Sequence, residues 1–237
     1  MHVSECGDSG LLVTLTGDGD QPWRMARQVA ISLLRDRPAG LIDVVASYAS
    51  VFLAFDPLRL THARLRELVT RQALAVPGPD TSRDFLVPVV YGGNHGEDLP
   101  AVAEELSMDA DEVVRLHTRA AWTVRLLGPP MGMPMTDGGR PPRPVSRRSD
   151  PRTRVAAGSV GLSGHQSVVY PFEMPGGWQL IGRTPVELVD LTRDPATAYR
   201  PGDRLRFVAV PADSWARWRR PLTEVQADLA RVRAPHG

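Results

Sequence analysis

The densest chemistry in this sequence lies between residues 128 and 154. Arg140, Arg143, Arg147, Arg148, Arg152 and Arg154 are interleaved with seven prolines there. A guanidinium is a planar fork of donors that fits a carboxylate or phosphate with two parallel hydrogen bonds. A proline-stiffened loop of this kind is either an anion clamp or a solvated, partly disordered connection, and composition alone favours the second. The block that follows is more informative. Residues 157–164 interleave glycines with a strand pattern, and Gln166 comes directly after. Glycine inside a strand marks a bulge, a close backbone approach or a ligand site. Then a Pro175-Gly176-Gly177 turn leads into a strand that ends at Arg183 and Thr184. Such a turn exposes backbone amides suited to an oxyanion.

Other chemistries are excluded. The sequence offers no Ser-His-Asp set, no His-x-His pair and no metal-ligand pattern. Cys6 is the single cysteine, which rules out an internal disulfide and a cysteine metal cluster, and it reads as a small residue beside an N-terminal strand. All 28 basic residues are arginine, so there is neither a P-loop lysine nor a Schiff-base lysine. A net charge of +1 gives no global field for nucleic acid. No apolar run reaches the roughly 18 residues of a membrane helix, and residues 1–5 lack signal-peptide character. The expectation is a cytoplasmic protein whose polar binding surface lacks a complete catalytic set.

The elements that must position these residues divide in two. Residues 1–78 read as an α+β unit in the order β-α-β-β-α, which suits helices layered on an antiparallel sheet. A strand at 11–15 ends in a Gly-Asp turn. A helix follows with Asp20 as N-cap and Pro22 in its first turn, burying Trp23, Ala26, Ala30, Leu33 and Leu34. Strands at 42–48 and 50–55 come next, the second apolar on both faces and so expected to be buried on both. Thr61 caps a second helix. Val76, Pro77, Gly78, Pro79 and Asp80 form a linker. Beyond it come a strand at 85–91, a helical pair at 98–106 and 109–117, and strands at 122–127, 159–162, 166–170, 178–182, 186–191 and 204–210. Turns at short intervals between them indicate a β-barrel or sandwich over 79–210. Residues 211–237 carry a narrow stripe of Leu222, Val225, Leu229 and Val232, as in a surface helix.

Taken in order, these segments resemble the family of the 5-oxoprolinase B component, also called allophanate hydrolase subunit 1. Gly7 to Leu12 is similar to its opening G-D-S-A-L-L. Tyr91 to Leu99 resembles Y-G-G-x-x-G-x-D-L, and Leu116-His117 falls where the family has L-H-S. Pro151 to Val160 resembles P-R-x-x-V-P-A-G-S-V. Gln166 to Pro171 is similar to Q-T/S-x-x-Y-P, and Pro175 to Thr184 matches P-G-G-W-x-L-I-G-R-T. One stretch departs: the family's loop L-G-F-x-P-G-F-P-Y-L has Pro129, Met133 and Met135 here in place of its aromatics.

The resemblance implies an N-terminal ferredoxin-like domain and a C-terminal cyclophilin-like β-barrel. It implies a sister protein, the C component or allophanate hydrolase subunit 2, and a third, lactam-binding component. With these, family members open 5-oxoproline to glutamate in an ATP-dependent reaction. The family also includes an inhibitor of a sporulation histidine kinase and carboxyltransferase domains of urea carboxylase, so a binding regulator and a carboxyltransferase-like component are the alternatives. On this footing Arg152, Arg154, Gln166, Gly176, Gly177, Arg183 and Thr184 are expected to line one cleft. Arg152 and Arg154 would steady an anion, the two glycines would present amides, and the others would orient polar groups. His117 is the histidine at a family position, to be weighed against a packed helix-end histidine. ATP would be handled through the complex. The middle of the arginine loop, about 135–148, is expected to be mobile until covered.

Overall fold

A computed structural model describes residues 1–73, 81–129 and 132–233. The chain divides into two compact units, Met1–Asp80 and Thr81–Gly237. The expected linker at 76–80 lies outside the described residues.

In the first unit, β1 (His2–Glu5) and β2 (Gly10–Thr14) precede helix α1 (Gln21–Asp36). Then come β3 (Leu41–Ala46), β4 (Ser50–Phe55) and helix α2 (His62–Ala73). The sheet is antiparallel with order β1-β2-β4-β3. Strand alternation puts Leu11, Val13, Val51, Leu53 and Phe55 into one core with Ala26, Val29 and Leu33 of α1 and Leu65 and Val69 of α2. Thr61 Oγ1 accepts from Arg64 N at 3.2 Å, the expected cap of α2. Asp20 sits at the N-cap of α1 but makes no side-chain capping bond. Two expectations fail here. Leu34 turns outward at 41% exposure while Val29 is buried in its stead, and β4 is buried on one face only, with Phe52 40% exposed on the other. Both helices pack on the same side of the sheet, and among the described residues of this unit no element covers the other side.

The second unit begins with β5 (Asp84–Tyr91), helices α3 (Leu99–Leu106) and α4 (Ala110–Arg119), and β6 (Trp122–Gly128). It continues through β7 (Met133–Asp137), β8 (Arg152–Val155), β9 (Ser159–Ser163), β10 (Gln166–Val169), β11 (Met174–Gly176), β12 (Gln179–Arg183) and β13 (Arg204–Ala209). A short helix α5 (Trp215–Trp218) and α6 (Leu222–Arg233) follow. Seven strands close a barrel in the order β10-β7-β6-β13-β5-β12-β9. Its one parallel pair joins β5 to β13, and β8 and β11 form a separate ribbon. Val87, Val89, Val124, Val160, Ile181, Leu205 and Phe207 build the core, joined by Leu99, Val102 and Val113 of the helical pair. Alternate residues face a satellite cluster of Val155, Val168, Tyr170 and Leu180, against which Met133, Met135, Met174 and Trp178 pack. The thioethers that replace the family's aromatics are therefore half-buried packing against Tyr170 and its neighbours.

Two stretches differ from their sequence reading. The arginine loop contains a barrel strand, β7, and its middle is pinned rather than loose. Val145 is 3% exposed and pairs with Gly164 through both backbone bonds. Ser146 N donates to Glu105, Arg143 to Ser107 Oγ, and Arg148 N to the Gly177 carbonyl. The expected strand at 186–191 makes only isolated bridges, Glu187 to Pro221 and Val189 to Thr197. Helix α6 is built into the barrel unit: Leu222 and Val225 are buried in its core.

Candidate functional site

Three clusters hold most of the residues that the sequence singles out. The first is a clasp on Asp98, which precedes α3 and is 6% exposed. Arg152 donates to both Asp98 oxygens at 2.9 Å, and its Nη2 also reaches Glu97 at 3.3 Å. Arg148 Nη1 donates to Asp98 Oδ1 at 3.2 Å and Leu180 N to Oδ2 at 2.7 Å. Burial by itself would raise the Asp98 carboxyl. The Arg152 fork, the Leu180 amide and the charges of Arg152 and Arg148 outweigh it and hold the group below its ordinary value. The Arg152 fork is thus filled by the protein's own carboxylate and is not an open clamp. Arg154, two residues on, pairs with Glu173 at 2.8 Å on the surface. Gly176 and Gly177 border the same clasp, the first paired with Arg152 across the ribbon and the second accepting from Arg148 N. A Cβ on Gly176 would stand 2.5 Å from the Tyr170 hydroxyl, so the glycine is there to let the ribbon lie on that ring.

The second cluster is inside the barrel. His117 is fully buried, with Nδ1 2.7 Å from the Tyr91 hydroxyl and Nε2 2.9 Å from Ser167 Oγ. Its ring stacks on Phe207 at 4.3 Å, and its carbonyl accepts from the Trp122 indole. Burial pushes the imidazole down to about 3, so it is neutral at ordinary pH. This is a packed, satisfied histidine out of reach of solvent.

The third is an open cavity of about 610 Å³, lined among others by His95, Gly158, Phe172, Arg183, Thr184, Glu187, Trp215 and Arg219. Gly158 holds a positive φ of 84°, and a Cβ there would stand 2.1 Å from the Thr184 carbonyl, so the turn that forms this floor needs glycine. Thr184 is 2% exposed, and its hydroxyl accepts from Val186 N at 3.2 Å. Arg183 Nε donates to the Ala157 carbonyl at 2.8 Å, and the guanidinium lies 5.4 Å from the centroid of the Trp215 ring. His95 stacks on the same ring at 4.8 Å, with Nδ1 enclosed and without a partner among the described residues.

The single expected cleft is therefore divided. Arg183 and Thr184 line the cavity; Arg152, Gly176 and Gly177 belong to the clasp; His117 is core. Gln166 opens β10 at the opposite end of the barrel. It pairs with Ser163 of β9, whereas Arg183 pairs with Ser159, a separation of roughly 13 Å along the strand. His95, Trp215 and Arg219 escaped the sequence reading, since they come from a turn and a C-terminal segment that read as unrelated. Among the described residues no group of three acidic, histidine or cysteine side chains could hold a metal ion. No described helix is long and apolar enough to cross a membrane.

Known proteins match this architecture. The family model for the carboxyltransferase domain, subdomain C and D, matches residues 1–199. A 5-oxoprolinase B subunit from Haemophilus influenzae is 39% identical over 79% of this chain and 85% of its own length. One from Bacillus subtilis is 29% identical over 88% and 92%. Among solved structures, the protein TTHA0988 superposes with a TM-score of 0.76 at 34% identity, over 86% of this chain. This chain spans only 40% of that one. The urea amidolyase of K. lactis shares the fold, with a TM-score of 0.70 at 19% identity over 97% of this chain and 17% of its own. With a model matched over most of its length and a relative this similar, the chain belongs to the carboxyltransferase subdomain C and D family, alongside the 5-oxoprolinase B subunits.

Proposed function

We propose that this chain is the B component of a cytoplasmic, ATP-dependent 5-oxoprolinase that opens the cyclic amide of 5-oxoproline to glutamate. The observation that carries the reading is its likeness, over nearly the full length of two relatives, to proteins named as 5-oxoprolinase B subunits. The site supports a shared rather than a self-contained enzyme. The cavity offers an arginine fork, a stacked aromatic pair and a polar rim, but no paired nucleophile and base among its described residues. In this reading Arg183 binds and orients, Thr184 fixes the floor, and the sister C component supplies the remaining groups, with a lactam-binding third component delivering substrate. ATP is handled by the assembled complex. The ferredoxin-like and cyclophilin-like labels, with the domain change near residue 78, belong to the same proposal; the sheet order β1-β2-β4-β3 and the closed barrel support them. A carboxyltransferase-like role is the second reading, favoured by the family model.

Co-expression with a protein of the sister family tests this. The two chains should co-elute on size exclusion at micromolar concentration, and the complex with the third component should release ADP in proportion to 5-oxoproline consumed. The isolated chain should not turn over the lactam. Two separate peaks, or carboxyl transfer from biotin without lactam turnover, would replace the proposal with its alternatives.

A further inference from the structure

The cavity at Arg183 carries features that together describe a ligand. Arg183 engages the protein through its Nε; its two terminal nitrogens have no hydrogen-bond partner among the described residues. They form the fork that a carboxylate fits. Arg219 adds a second cation on the lining, and Glu187, exposed, adds a carboxylate that accepts from an N–H. The Trp215 ring, on which His95 stacks and near which the Arg183 guanidinium lies, joins Phe172, Pro171 and Val186 as the apolar part of the lining beside the free fork. The volume falls in the range of small-molecule sites. Two arginines set against one glutamate leave a single net positive charge, which suits a monoanion better than a polyphosphate.

We propose that this cavity binds a small, monoanionic carboxylate that also bears an N–H, with the carboxylate on Arg183, the apolar part of the ligand among Trp215, Phe172 and Val186 and the N–H toward Glu187. The choice of a lactam acid as that ligand rests on the function proposed above.

The test uses the full chain and its five tryptophan indole N–H signals in a two-dimensional ¹H–¹⁵N spectrum, with Trp215→Phe assigning one of them. Millimolar 5-oxoproline should shift the Trp215 signal, and 2-pyrrolidinone, the same ring without the carboxylate, should not. Arg183→Gln should weaken binding about tenfold or more, as loss of a charged hydrogen-bond pair requires. Because Arg183 also holds Ala157, the other four indole signals check the fold of that variant. If they move, Arg219→Gln decides, with an expected loss of about threefold or more. No shift with 5-oxoproline, an equal shift with 2-pyrrolidinone, a larger response to ADP, or unchanged affinity in a folded Arg183→Gln variant would overturn the site. Turnover by the reconstituted complex without any Trp215 response would sink this site and leave the functional proposal standing. A Trp215 response without turnover would do the reverse.

Discussion

Asp98 and His117 are both buried ionisable residues, and acid acts on them in windows that start at different pH and overlap below about 4. The Asp98 carboxyl is held below its ordinary value of 3.8, so the folded state takes up its proton less readily than the unfolded chain. Its stabilising effect is present above about pH 4 and is lost as pH falls through the lower folded value. His117 is depressed from 6.5 to about 3 by burial. The unfolded chain therefore gains a proton first, and stability falls as pH drops from about 6.5 toward 3. Urea unfolding across pH 7 to 3 should show a gentle decline from the histidine and a steeper one below about 4. Asp98→Asn should soften the steep limb, to which Asp84 also contributes, and cost about 3 kcal/mol at neutral pH, because Arg152 is left with only the exposed Glu97. Arg154→Ala, whose ion pair with Glu173 is exposed, should change stability by less than about 1 kcal/mol. If the two variants were equally mild, the clasp would be ornamental.

At the level of elements, helix α6 and the strap at 138–151 complete the barrel unit. Strand β5 meets β12 only at Val90 and Tyr91, so Leu86 has no strand on that side. Gln226 of α6 fills the place, accepting from Leu86 N at 2.8 Å and donating to Leu86 O at 3.0 Å. Gln226→Ala should leave both groups unpaired and lower stability by about 1–3 kcal/mol, measured by urea unfolding. Gln226→Glu, which keeps the acceptor but sets a carboxylate oxygen against the Leu86 and Leu222 carbonyls, should cost at least as much. Apolar periodicity made the helices legible in sequence, with Thr61 marking the start of α2; the reciprocal capping box of Asp109 and Glu112 on α4 emerges only in the structure. β7 was not legible. Pro134 and its proline neighbours read as loop, but pairing with β10 starts only at Met135, leaving that proline outside the second ladder. Residues 186–191 misled in the other direction, because Val186 and Leu188 alternate as packing residues without a ladder. The candidate site was half legible. Arg183 and Thr184 stand in a recognisable strand end, whereas Trp215 reaches them from a segment whose apolar stripe spoke only of a helix. Side chains drawn from distant parts of the chain leave no local pattern.

At the scale of the molecule, the two units pose different folding problems. The first joins neighbours in sequence through the β1–β2 and β3–β4 hairpins and needs only the β2–β4 pairing beyond them. The barrel has hairpins too, β6–β7 and β9–β10, but its seam joins its two ends. Its parallel pair sets Asp84 beside Arg204 and Val89 beside Ala209, and Arg83 at one end is tied to Asp203 at the other. Such pairings, some 120 residues apart, are slow to form because a long loop must close first. The consequence appears in the order of synthesis. On a ribosome the first unit can fold as soon as it emerges, while the barrel must wait, seam open, until β13 and then α6 leave the exit tunnel. Nascent chains arrested before residue 204 should therefore carry a protease-resistant N-terminal unit and a digestible remainder. Chains long enough to release α6 should resist throughout. During that interval the unpaired β5 edge is the surface most in need of a chaperone or of an early-arriving partner protein.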